Sequence, residues 1–277
     1  MRNFIARPEH GIVWISGASS GIGRALALKL AGEGYKVAVT ARNHDKLVEL
    51  QVEAAGLSGS IIVLDGDVTD AEDMEHVMAS IEYEHGALAM AILCASVYQP
   101  VHGEDLNRAD FEKTFAVNLS GVVNCLLPAI RHMKAKGQGQ IAVVSSVTGY
   151  TGLPTSAAYG ATKAALINMA ESLKFDLDKI GIRIQLINPG FVDTPATRKN
   201  IFPMQALVSP EAAAERIAVG LKSQAFEITF PKRFTYMLKF LRILPYGLYF
   251  TLVNRVTAWG ERPVDDSHRS ATPHPAE

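Results

Sequence analysis

The chain has 277 residues, 48% hydrophobic and 20% charged, with a formal net charge of −1. That is enough apolar material for the core of one α/β layer fold, and too little net charge for a general nucleic-acid-binding field. Cys94 and Cys125 sit in apolar segments with no disulfide framework or metal spacing, which fits a reducing compartment, and the eight histidines form no paired-ligand pattern, so no metal is expected.

From the N-terminus, Met1-Arg-Asn-Phe-Ile-Ala-Arg-Pro8 is too short and polar for a signal peptide, so the bulk of the chain is expected to be cytoplasmic. Short runs rich in Val and Ile then alternate with longer periodic segments. The pattern predicts strands at 11–16, 36–41, 60–66, 87–94, 140–145 and 183–187. Helices are predicted at 21–31, 44–55, 71–84, 110–136 and 157–179. This βα alternation implies a doubly wound parallel sheet of the Rossmann type, a three-layer α/β/α arrangement in a single domain. Its ligand site belongs at the carboxyl ends of the strands, near the switch point beside the first strand.

The first strand runs into Ser16-Gly17-Ala18-Ser19-Ser20-Gly21-Ile22-Gly23-Arg24, which opens the first helix. Glycines there permit a tight turn and close backbone approach, and the helix N-terminus offers free N–H groups to a pyrophosphate. After the second strand, Val39-Thr40-Ala41-Arg42-Asn43 lacks the carboxylate that would hold a ribose 2′-hydroxyl. Arg42 instead suits a 2′-phosphate, which favours NADP(H) over NAD(H). Asp67 and Val68 end the third strand, where they either flank the adenine or, for Asp67, cap the helix beginning near Thr69. Further on, Tyr159 and Lys163 lie four residues apart in an Ala-rich helix, with Ser146 thirteen residues upstream of Tyr159. That spacing puts phenol and ammonium on one helix face, where the cation favours the phenolate and makes a device for moving a proton. The same pair also fits a solvated helix face.

Beyond 190, residues 194–209 read as a mobile substrate lid. Ser209-Pro210 starts another helix, and 226–230 reads as a last edge strand. The segment 231–259 carries many large apolar side chains with Lys232, Arg233, Lys239, Arg242 and Arg255 and no acid. Pro245 and Gly247 split it, so it is a poor membrane span. It is read as a helical extension (231–260) of the 1–230 catalytic unit, followed by a polar, proline-containing tail (261–277) expected to be disordered. Three roles stay open for the extension: packing on the fold or a second subunit, peripheral membrane contact, or a greasy mouth for a lipophilic substrate.

Taken together, Gly17/Gly21/Gly23, Asn118 in Val-Asn-Leu-Ser-Gly121, Ser146, Tyr159, Lys163 and Pro189-Gly190 resemble the short-chain dehydrogenase/reductase family in order and spacing, over roughly residues 10 to 230. The resemblance implies a carbonyl reductase or alcohol dehydrogenase. In it Tyr159 is acid or base, Lys163 lowers its pKa and binds the nicotinamide ribose, and Ser146 holds the substrate oxygen. It also implies that Asn118 holds a water in a proton relay. Pro189, Gly190, Val192 and Thr194 would fix the nicotinamide, and Ser19, Ser20, Ile22 and Ala95 would join the cofactor site. A homodimer or homotetramer through the two long helices follows from the same likeness. Leu93-Cys94-Ala95-Ser96 departs from the family's usual Asn-Asn-Ala-Gly, so Cys94 forfeits an amide's hydrogen bonds and Ser96 crowds the cofactor ribose. The competing readings are a dinucleotide-sensing or scaffold protein on the same fold, and a sugar-nucleotide epimerase or dehydratase, which needs a larger substrate domain.

Overall fold

A computed structural model describes residues 4–199, 204 and 206–262. Seven strands form one sheet in the order β3-β2-β1-β4-β5-β6-β7, every neighbour pair parallel. They are β1 (Ile12–Ser16), β2 (Lys36–Thr40), β3 (Ser60–Val63), β4 (Leu88–Leu93), β5 (Gly139–Val144), β6 (Ile182–Pro189) and β7 (Glu227–Phe230). The chain reverses direction across the sheet between β1 and β4, which opens a crevice at their carboxyl ends.

The helices are α1 (Gly21–Gly32), α2 (His44–Glu53), α3 (Ala71–Ser80), α4 (Arg108–Phe115), α5 (Gly121–Lys136), α6 (Ala157–Leu177), α7 (Pro210–Leu221), α8 (Lys232–Arg242) and α9 (Tyr246–Thr257). Strand alternation feeds two separate cores. Val13 and Ile15 of β1 pack with Leu26 and Leu30 of α1 and Ile217 of α7, on one face. Ile12 and Trp14 point the other way, into Val122, Leu126 and Met133 of α5 and Leu166 of α6. Full burial of each such Leu or Ile is worth about 1.5–3 kcal/mol, so both faces of the sheet are fixed by the same short strand. Local signals mark the helix starts: Asn43, Asp70, Asn107 and Ser209 each accept a first-turn N–H on their side chains.

Three details differ from the sequence pattern. The helix expected at 110–136 begins at Arg108, after the Asn107 cap, and is interrupted by a π-helical turn at Ala116–Ser120. By length and composition Arg108–Lys136 could cross a membrane, yet its stripe of Val122, Cys125, Leu126, Ala129 and Met133 is core. The strand expected at 60–66 stops at Val63, because beyond it only single bonds reach β2 (Leu64 N to Val39 O, Gly66 N to Ala41 O). Asp67 does not cap the following helix. That position belongs to Asp70, while Asp67 Oδ1 accepts from the N–H and hydroxyl of Thr69, both at 2.9 Å.

After β7 the chain forms the α8–α9 pair. Phe234, Leu238 and Leu241 of α8 pack on the α5–α6 side of the core. An ion pair fastens α8 further: Glu227 of β7 accepts from Lys239 and Tyr150, and from Asn188 Nδ2 at 2.7 Å. Burial works against the Glu227 charge, but these donors hold its carboxyl below the usual carboxylate range. The expected lid falls partly outside the described residues, and the expected tail does so from 263 onward.

Candidate active site

The loop after β1 is built by close approach. Gly17 has φ +75°, and a Cβ there would lie 2.5 Å from Ala95 Cα and 2.6 Å from Ala95 N. A Cβ on Gly23 would lie 2.4 Å from Gly17 O, so the loop can fold against α1 only with glycine at both places. Ser16 Oγ accepts from Cys94 N at 3.2 Å and Ala95 N at 3.4 Å, which ties the loop to the end of β4. No side chain caps α1 at Ser20, and Gly21, Ile22 and Gly23 of its first turn line the crevice. That is the arrangement an anion needs at a helix N-terminus.

A cleft of about 360 Å³ runs along the strand ends. Every residue of the expected dinucleotide set lines it, from Gly17, Ser19 and Ser20 through Arg42, Asp67, Val68 and Ala95 to Pro189, Gly190, Val192 and Thr194. Arg42 Nη1 stands 3.9 Å from Asp67 Oδ2, across the ends of the adjacent strands β2 and β3, and the Arg42 side chain is 67% exposed. The segment after β6 is anchored by β-bonds: Val208 N donates to Phe191 O, and Asp193 N to Val208 O. Thr197 Oγ1 donates to Val192 O and ties the start of the expected lid to the same segment.

Ser146, Tyr159 and Lys163 meet in this cleft. Ser146 lies two residues beyond β5, at the start of a short turn, and its hydroxyl accepts from Thr148 N at 3.2 Å. Tyr159 and Lys163 project from the first turns of α6. The Lys163 ammonium donates to Val144 O at 2.9 Å and lies 5.3 Å from the centre of the Tyr159 ring. Burial dominates both groups: it pushes the phenol up to about 12, with the Ser146 and Ser96 hydroxyls pulling the other way, and it lowers Lys163 to about 8. The expected lowering of the phenol by Lys163 is not seen: burial outweighs every opposing contact, so the phenol is held protonated. Burial also raises the Cys94 thiol to about 11, which keeps it a packing group rather than a nucleophile.

Asn118 lies just outside the cleft lining, inside the π-helical turn. Its Oδ1 accepts from Val97 N at 2.7 Å, and its Nδ2 donates to Val97 O at 2.9 Å and Thr162 Oγ1 at 3.4 Å. The amide thus pins the loop after β4 to the residue before Lys163.

Two contacts were beyond the reach of sequence. Tyr98 sets its ring edge-on to Tyr159 at 5.2 Å and bonds Thr155 Oγ1 at 2.9 Å. Thr155 has φ 60°, a strained conformation for a β-branched residue, and it sits at the entrance to α6. Ser96 faces the Tyr159 phenol. Its replacement of glycine was visible in the sequence, but not this contact. Among the described residues no group of His, Cys, Asp or Glu could hold a metal ion.

A Gly-rich turn at an uncapped helix N-terminus, set at the switch point of a parallel sheet, is the arrangement of a dinucleotide-binding fold. The short chain dehydrogenase family matches residues 11–204, and the chain belongs to that family. It is an NAD(P)-dependent oxidoreductase. Among similar proteins, an uncharacterized oxidoreductase of Myxococcus xanthus is 31% identical over 252 residues, covering 91% of this chain and all of that one. The 3-oxoacyl-[acyl-carrier-protein] reductase FabG of Thermotoga maritima is 32% identical over 214 residues, covering 77% of this chain and 85% of its own. A crystal structure of a 3-ketoacyl-ACP reductase from Sinorhizobium meliloti superposes with TM-score 0.69 at 29% identity, over 79% of this chain and 96% of that one. The structure of ElxO with NADP bound gives TM-score 0.71 at 26% identity, over 79% of this chain and 97% of that one.

Proposed function

We propose that the protein is an NADPH-dependent reductase of a lipophilic carbonyl, working in reverse on the secondary alcohol. The observation that carries the reading is the convergence of Ser146, Tyr159 and Lys163 at one end of the cleft whose other end holds Arg42. The bound nicotinamide supplies the hydride. Tyr159, protonated by its buried setting, delivers the proton to the carbonyl oxygen, and the Ser146 hydroxyl holds that oxygen while charge develops on it. Lys163 places a cation beside the phenol and binds the nicotinamide ribose hydroxyls. Asn118 positions Lys163 through Thr162, and Pro189 to Thr194 seat the nicotinamide. Asp67 and Val68 flank the adenine.

Support for a lipophilic substrate comes from Tyr98, Val147, Leu153 and Phe191 in the cleft wall. The T. maritima and S. meliloti relatives are 3-oxoacyl reductases by name, and a 3-oxoacyl chain is one carbonyl of this kind. Leu127 of α5 and Phe175 of α6, exposed on the helices expected to carry a subunit contact, support a homo-oligomer. Oxidation of NADPH and NADH across 3-oxoacyl thioesters and 2-ketones of increasing length tests the substrate reading. Turnover should depend on NADPH, and kcat/KM should climb by up to about fourfold per buried methylene. A profile flat in chain length, or equal rates with both cofactors, would overturn it.

The buried lysine gives a pH signature. Since Lys163 titrates at about 8 and Tyr159 at about 12, kcat/KM for reduction should fall as pH rises through about 8, when the ammonium is lost while the phenol is still protonated. Stability should move the other way. Between about 8 and the ordinary lysine value of 10.5 the unfolded chain binds the extra proton, so this group's contribution to folding rises with pH. Kinetic pH profiles set beside thermal melts, for the protein and for Lys163→Met, check both limbs. The stability limb should vanish in the variant.

A further inference from the structure

The α8–α9 pair carries apolar side chains on both sides of α8. Its inner stripe, Phe234, Leu238 and Leu241, is packed in the core. Its outer stripe, Tyr236, Met237, Phe240 and Ile243, follows the same helical spacing and stands 42% to 75% exposed. At the following turn Tyr246 and Phe250 stack at 6.1 Å, and they are 80% and 59% exposed. A helix apolar on both faces needs a second apolar environment, and exposed apolar side chains grouped in this way mark an interaction surface.

The charges around the patch decide what covers it. From 231 to 260 the chain has Lys232, Arg233, Lys239, Arg242 and Arg255 and no Asp or Glu. Lys239 is spent on Glu227, but Arg233 and Arg242 are exposed at the two ends of α8. Two copies meeting through the same patch would bring these cations against their equivalents, and like charges disfavour that contact. A surface offering apolar depth beneath anionic groups satisfies both features.

We propose that α8 and the turn into α9 form a docking surface for an anionic lipid bilayer, with α8 lying in the plane of the interface. Tyr236, Met237, Phe240 and Ile243 enter the acyl boundary, and Arg233 and Arg242 meet the headgroups. The pair is also bound to the cleft walls: Phe234 packs on Phe191 with ring centres 5.5 Å apart, and the Tyr249 hydroxyl donates to Gly152 O, beside Leu153. Docking therefore sets the substrate end of the cleft close to the membrane. That consequence rests on the reductase reading, whereas docking itself does not.

Flotation of the full-length protein with phosphatidylcholine vesicles, with and without phosphatidylglycerol, separates the outcomes. The protein should float with the anionic vesicles and stay behind with the neutral ones. Arg233→Glu/Arg242→Glu should weaken partitioning by at least about 30-fold, at roughly fivefold for each charge lost. Phe240→Ser/Ile243→Ser should abolish flotation while leaving turnover of a short, water-soluble ketone unchanged, which shows that the fold and the cleft are intact. Flotation that ignores lipid charge and both double variants overturns the proposal. So does a failure to float combined with a self-associated mass in light scattering that Phe240→Ser/Ile243→Ser dissociates, since a second copy then covers the patch. Because flotation is read without catalysis, an inactive protein that still floats would count against the reductase reading alone.

Discussion

Replacing Tyr159 by Phe is expected to lower turnover by about 10²–10⁴-fold, the range that a positioned general acid contributes, with little change in NADPH affinity. The substitution removes one oxygen and keeps the ring. The edge-on contact with Tyr98 at 5.2 Å and the Lys163 ammonium 5.3 Å from the ring centre both survive it. What disappears is the proton that burial holds on the phenol. Ser146 and Ser96 remain, but a serine hydroxyl is a far weaker acid than a phenol and cannot take over the transfer. Stopped-flow reduction and a separate nucleotide titration distinguish the effects. A large fall in rate at unchanged Kd assigns the proton to Tyr159. A rate near that of the unaltered protein would move the acid elsewhere in the cleft and remove the main support for the proposed mechanism.

Local signals in the sequence carried much of this fold, and tertiary ones did not. The strand–loop–helix at Ile12–Gly32 is legible because three constraints coincide there: a buried strand, glycines at points of close approach and a helix without a cap. Ser209 marks its helix through a bond made within three residues, whereas the helix after β3 is capped by Asp70 and not by the Asp67 that the sequence offered. The π-helical turns at Ile81–His85 and Ala116–Ser120 left no trace, since an extra residue per turn changes hydrogen bonding without changing composition. Tyr98 carries no motif, and only the folded chain brings it to Tyr159 and Thr155, each more than fifty residues away. The extension from 231 was visibly apolar and basic, but which side of α8 packs inward depends on where β7 leaves the sheet.

Arg42 carries the second large expected effect, on the choice of cofactor. It leaves the end of β2 with its side chain 67% exposed, in the cleft and with no carboxylate at the neighbouring positions 39 to 41. Its one ionic neighbour among the described residues, Asp67 at 3.9 Å, is a distant partner, about a third exposed, whose other oxygen accepts from Thr69. Such a surface pair is worth at most about 1 kcal/mol, so the guanidinium can turn to a 2′-phosphate at small cost. A charge-assisted bond to that phosphate contributes about 1.5–3 kcal/mol, or roughly 10- to 150-fold in affinity. Arg42→Ala should therefore weaken NADPH by that factor and leave NADH nearly unchanged, while Arg42→Asp should repel NADPH further and improve NADH through the ribose 2′-hydroxyl. The preference for NADPH should also shrink as salt is raised, because the interaction is exposed and screened. Titration of both nucleotides against the three proteins at two ionic strengths measures all of this. Equal weakening of NADPH and NADH would instead give Arg42 a general role in shaping the loop, and the basis of any NADP preference would then have to lie with Ser19, Ser20 or Asn43 on the same stretch of the cleft.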